Sequence, residues 1–228
     1  MMDTPRNDMV EMATARANLY ALLADVFREE PSEAFLAGLA DPEFTRALKT
    51  LNLSLDEIFS DTPRDRLMED LAVEYTRLFI GPGSHLSPNE SMHAAARFGE
   101  PNSFWGKQTV DVKKFMAAAG LEVDAGFGGM PDHITAEFEF MQQLLLKEAE
   151  AWQQGERESG LNILKIEKQF YDEHLSQWVV SFCDKVFKTA GHPYFRQFAE
   201  ITRAYIELEE ETLAELIEQA EDGERLSA

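Results

Sequence analysis

Sulfur chemistry is almost missing from this chain. Its 228 residues include a single cysteine, Cys183, set in the apolar stretch WVVSFCDKVF. A lone cysteine rules out an internal disulfide and suits a reducing compartment. Among apolar neighbours it reads as an inert buried thiol, not a nucleophile. Basic residues are scarce too: 21 Lys and Arg stand against 42 Asp and Glu, a formal charge of −21. Such a surface repels nucleic acid and anionic membranes and draws cationic partners. No apolar run approaches the roughly 18 residues that a membrane span needs. The opening residues MMDTPRNDMVEM lack the basic-then-apolar order of an export signal, so a cytoplasmic protein is expected.

Familiar catalytic motifs are also lacking. There is no H-E-x-x-H and no G-x-S-x-G, and the glycines of AGFGGMP are followed by no phosphate-binding lysine. A di-iron bundle needs Glu-x-x-His on two helices; only Glu90 and His93 have that spacing here. His133 and Glu137, four apart, can share a helix face. The catalytic alternative is therefore a small metal-dependent hydrolase using His133, Glu137 and His93. The main reading is no enzyme, no metal and no cofactor.

Strand-like alternation is absent as well, and helical periodicity takes its place. Ala13, Ala17, Tyr20, Ala24 and Phe27 form one stripe; Leu67, Leu71, Tyr75 and Leu78 form another. Ile134, Phe138, Met141, Leu145 and Trp152 make a third. Leu164, Tyr171, Leu175, Trp178, Phe182 and Val186 make a fourth, and Phe198, Ile201, Tyr205, Leu208 and Thr212 a fifth. Ser32, Asp41-Pro42 and Thr62-Pro63 mark helix starts, and a further helix is expected from about Phe104 to Gly120. The fold class is all-α, a single-domain bundle of roughly nine to twelve helices. A glycine-rich hinge near 120–131 divides it into an N-terminal sub-bundle (about 8–120) and a C-terminal one (about 132–220).

Between Glu207 and Glu224 stand nine acids and no Lys or Arg, a solvated face or an electrostatic guide. Residues 80–103, rich in Gly, Pro, Ser and Asn, interrupt the helices for longer than a simple connection needs. The stretch GGMPDHITAEFEF, residues 128–140, sets Asp132 and His133 at a helix start. Asp132 reads as the N-cap, its carboxylate suited to the first-turn N–H groups and the positive dipole end. His133 then opens the helix, facing partly outward.

EYTRLFIGP (74–82), SPNES (87–91) and PDHITAEFEFM (131–141), in that order, resemble the TorD/DmsD/NarJ family of molybdoenzyme maturation chaperones. HLSQWVVSFCDKV and HPYFRQFAEITRAYI are in the same style, and the likeness spans roughly residues 10–210. It implies a helical bundle that binds the twin-arginine signal peptide, and the body, of an apo-molybdoenzyme such as a TMAO, DMSO or nitrate reductase. Such a chaperone assists cofactor insertion and prevents premature export. By position, Tyr75, Leu78 and Phe79 match the family's aromatic-x-x-Leu-Phe segment. Pro88 and Ser91 match its Pro-x-x-Ser segment, with Glu90 between them, and Asp132 and His133 match its Asp-His pair. The resemblance ties these regions to signal-peptide recognition. Glu74, Glu90 and Asp132 are the expected acidic contacts for the leader's arginines. A monomer is the default expectation, and the glycine-containing linker makes a domain-swapped dimer feasible.

Overall fold

The computed structural model describes residues 4–50, 55, 57–59, 63–81, 83, 85–93, 102–121 and 128–225. Most of the expected hinge, residues 122–127, lies outside them. Among the described residues the chain is all-α, without a strand. The helices are α1 (Thr4–Arg28), α2 (Glu33–Leu39), α3 (Pro42–Thr50) and α4 (Arg64–Tyr75). α5 (Lys107–Ala118), α6 (Ile134–Gln154), α7 (Arg157–Phe170), α8 (Ser176–Thr189) and α9 (Pro193–Arg225) follow.

Local chemistry sets the boundaries. Ser32 caps α2 by accepting from the Phe35 N–H, and Asp41 Oδ1 accepts from Glu43 and Phe44 ahead of α3, as these residue types favour. α6 ends on Gly155 at φ 78°, a left-handed position suited to glycine. Gly160 then lets α7 press against α6: a Cβ there would stand 2.7 Å from the Trp152 indole. α5 starts three residues later than its periodicity predicts, because Trp105 breaks the ladder at φ 60°.

α1 lies along α6, α6 packs on α7, and α9 packs on α7 and α8. The first four stripes are buried throughout, each large side chain contributing about 1.5–3 kcal/mol on transfer from water. Tyr20 meets Phe138 edge-on at 5.5 Å, and Phe27 meets Phe182 at 5.6 Å. Cys183 is buried as expected, and burial pushes its thiol pKa up.

The fifth stripe is rotated from its expected register. α9 buries Phe195, Phe198, Thr202, Ile206, Glu209 and Leu213, whereas Leu208 is 58% exposed. Two polar residues occupy inward positions, which apolar periodicity cannot anticipate. The outward-turned Ile201 and Leu208 instead line an apolar groove of about 480 Å3 with Leu19, Leu22, Phe44 and Leu55.

Glu209 faces inward because Arg16 is there. The buried Arg16 guanidinium reaches Glu209 at 3.1 Å, Glu167 at 2.9 Å and Glu148 at 3.6 Å, joining α1, α6, α7 and α9. The acidic run of α9 is thus not wholly a solvated face. One cation cannot neutralise three carboxylates. Burial raises the Glu148 pKa to about 7 and that of Glu167 well above the carboxylate range, Arg16 opposing both.

Two π-helical turns interrupt the regular ladder. Thr76–Ile80 continues α4, and Gly81 closes it by donating to Thr76 O at 2.6 Å. Tyr171–Leu175 joins α7 to α8 in one rod. Such turns recur at functional sites, and both bear on the region described next.

Candidate functional site

Residues 85–93 and 130–137 lie side by side. Glu90 N donates to Asp132 O and Ile134 N to Pro88 O, each at 2.9 Å, and Asn89 and His133 form an isolated antiparallel bridge. The Asp132 carboxylate completes the junction: Oδ2 accepts from Ser91 N at 2.9 Å.

This corrects the capping expectation. His133 is the N-cap of α6, its Nδ1 accepting from Thr135 N at 3.2 Å. Asp132, one residue earlier and fully buried, reaches across the chain instead of along its own helix. The neutral ring needed for this cap is favoured by burial. Burial, assisted by the charge of Arg28 and opposed by Asp132, lowers the His133 pKa to about 4.

Glu90 and Glu137 line up behind the junction. His174, on the second π turn, meets Glu90 Oε2 through Nδ1 at 2.9 Å, and Trp178 Nε1 donates to Glu137 Oε2 at 3.1 Å. Burial, opposed by the His174 hydrogen bond, raises the Glu90 pKa. Burial raises Glu137 further, with the charges of Glu90 and Asp132 adding to it. Asp132 Oδ1, Glu137 Oε1 and Ser91 Oγ are buried without hydrogen-bond partners among the described residues.

The resemblance-derived residues therefore have distinct places. Pro88, Glu90, Ser91, Asp132 and His133 meet in one junction. Tyr75, Leu78 and Phe79 are buried away from solvent at the end of α4 and in the first π turn. Tyr75 Oη donates to Phe27 O and Arg28 O, and the Phe79 ring packs among Phe27, Tyr75, Phe182 and Phe195. Glu74 is committed elsewhere: it takes a two-point ion pair from Arg77 and accepts from the Gly191 and His192 N–H groups. It is not an open contact for a leader arginine.

The hydrolase residues are each engaged separately. His93 Nε2 meets Ser87 O at 2.9 Å, its Nδ1 meets Lys185 Nζ at 3.2 Å, and the ring lies 5.1 Å from Trp178. Among the described residues no group of three or more His, Cys, Asp and Glu side chains is arranged to hold a metal. Sequence reasoning missed His174 and Trp178 as polar partners: spacing marked Trp178 only as core, and no pattern singled out His174.

Residues 38–184, more than half of the chain, match the family described as nitrate reductase delta subunit. The chain belongs to this TorD/DmsD/NarJ family of molybdoenzyme maturation chaperones. It is similar to the chaperone protein TorD of Vibrio atlanticus (strain LGP32), 24% identical over 216 residues, covering 87% of this chain and 94% of that protein. It is likewise similar to the perchlorate reductase assembly chaperone protein of Dechloromonas aromatica (strain RCB), 26% identical over 215 residues, covering 92% and 95%. Family membership makes it a chaperone and not an enzyme. Among the described residues no helix is long and apolar enough to cross a membrane.

Proposed function

We propose that this chaperone binds the twin-arginine signal peptide, and the body, of an apo-molybdoenzyme of the TMAO, DMSO or nitrate reductase class in the cytoplasm. It assists cofactor insertion and holds the client back from export. The observation that carries the reading is the junction itself. Two segments distant in sequence, both tied by resemblance to leader recognition, are hydrogen-bonded together through Asp132. The leader docks along this junction, with Glu90, Ser91, Asp132 and His133 shaping its polar side and Pro88 its turn. Tyr75, Leu78 and Phe79 support the wall from the core. The protein works as a monomer of two sub-bundles joined through 120–131, with exchange of a half between protomers as its alternative state.

A leader supplies charge and apolar surface together, while ordering the free peptide offsets much of the gain, so a dissociation constant around micromolar is expected, about −8 kcal/mol. Titration calorimetry with twin-arginine presequence peptides tests the reading. Saturable heat that is lost with a scrambled peptide supports it; no heat and no competition between leaders overturns it.

A further inference from the structure

Beside the junction the surface opens into a cavity of about 160 Å3, lined by Glu90, Lys107, Gln108, Asp111, Glu173 and His174. Sites for whole small molecules run to about 300–1,000 Å3, so this one takes a single side-chain head. Three carboxylates line it against one lysine. Glu90 is the most buried of the three, 3% exposed. His174 meets its Oε2, which leaves Oε1 as the carboxylate oxygen available to the cavity. Asp132, whose Oδ1 has no hydrogen-bond partner among the described residues, lies close enough to act through its charge on both Glu90 and Glu137.

Two residues ahead of Lys107, which lines the cavity, the chain carries exposed aromatics. Ser103 N donates to Ser91 O at 3.4 Å and Gly106 N to Ser103 O at 3.0 Å. The turn between them leaves Phe104 50% and Trp105 66% exposed, with Val110 also outward on α5. Trp105 sits at φ 60°, a left-handed backbone that a bulky side chain rarely adopts. Trp152 and Trp178 are both buried, so Trp105 is the one tryptophan turned to solvent.

We infer that this cavity seats one arginine side chain of a basic and apolar peptide. Its guanidinium forks onto Asp111 and Glu173 above the Glu90 floor and stacks on Trp105, while a neighbouring apolar residue covers Phe104 and Val110. Charge selects the occupant: carboxylates outnumber cations in the cavity and the whole chain carries −21. The planar fork and the exposed indole favour arginine over lysine. The inference rests on the leader reading for the source of the peptide.

The test uses a synthetic presequence with two consecutive arginines before an apolar run, and its double-lysine counterpart. Calorimetry and tryptophan emission are recorded on the full chain, on Asp111→Asn/Glu173→Gln and on Trp105→Phe. Both carboxylates are on the rim, so the double variant keeps the buried Glu90–His174 pair. The wild type is expected to show an emission change with the arginine peptide that Trp105→Phe loses while still releasing heat. The double variant is expected to bind that peptide about tenfold more weakly or worse, and to lose most of the preference over lysine. Unchanged affinity in the double variant, or unchanged Trp105 emission on saturation, overturns this seat and leaves the leader reading intact. Absence of heat with the wild-type chain overturns the leader reading, and this seat with it.

Discussion

The Arg16 guanidinium holds both carboxylate oxygens of Glu209 through its Nε, each at 3.2 Å, across a separation of 193 residues. The first long helix and the last are thus joined inside the bundle by charge, with Glu148 and Glu167 sharing the cation. Arg16→Met strands three carboxylates in a dry interior. It is expected to destabilise the fold by about 3–5 kcal/mol, read as a lower urea midpoint. Glu167→Gln removes one excess negative charge and is expected to cost far less, or to stabilise.

The same cluster sets a pH dependence. The raised pKa of Glu148 contributes stability that is complete below its ordinary value of 4.5 and lost as pH rises through about 7. Glu167 and Glu137, also raised, act in the same direction. His133, depressed, contributes stability present above 6.5 that is lost as pH falls through about 4. The urea midpoint is therefore expected to rise from pH 8 to pH 6. Below pH 6 the two trends oppose each other, each group contributing at most about 1.4 kcal/mol per pH unit. Glu148→Gln should flatten the neutral limb, and His133→Ala the acid one.

Asp132 and His133 are adjacent yet do different work. His133→Ala removes a cap and should cost about 0.5–2 kcal/mol. Asp132→Ala leaves the buried Ser91 N–H without its acceptor, at about 1–3 kcal/mol, and releases the 85–93 segment from α6. Denaturation combined with presequence titration separates them: Asp132→Ala should weaken the leader by tenfold or more, and His133→Ala, which leaves the junction tied, by less.

Leader binding should respond to salt only in part. Screening shortens the reach of exposed charges to about 8 Å at physiological ionic strength, while apolar burial persists. Affinity measured from 50 to 500 mM salt is expected to fall and then level; complete loss at moderate salt would contradict an apolar share.

α9 offers a check on its own register. Leu208→Ser is expected to leave stability within about 0.5 kcal/mol, whereas Leu213→Ala, in the core, should cost about 2–5 kcal/mol. Paired urea melts decide it.

That register shows where sequence reading reaches its limit. Stripes of uniform apolar character, such as Tyr20 with Phe27 or Phe138 with Leu145, faced the core as their spacing implies. α9 did not, because Thr202 and Glu209 point inward: Thr202 donates to Phe198 O one turn back, and Glu209 is satisfied by Arg16 far along the chain. The caps of α2 and α3 follow from local residue types alone. The Asp132–Ser91 bond is non-local, and no pattern within either segment encodes it. Trp178 was visible as a buried position and His174 was not, and their polar partners, Glu137 and Glu90, come from other elements. Periodicity also cannot register one extra residue in a turn, so both π turns escaped it.

The π turn at Tyr171–Leu175 behaves as a spacer of one residue. Excising a single position there would return the ladder to ordinary α spacing and swing one flank of the rod by about 100° relative to the other. Trp178, Phe182 and Val186 could then no longer share a face with Leu161 and Leu164. The imidazole that meets Glu90 is therefore bound up with the alignment of the whole rod, and a deletion in this turn would dismantle wall and floor together.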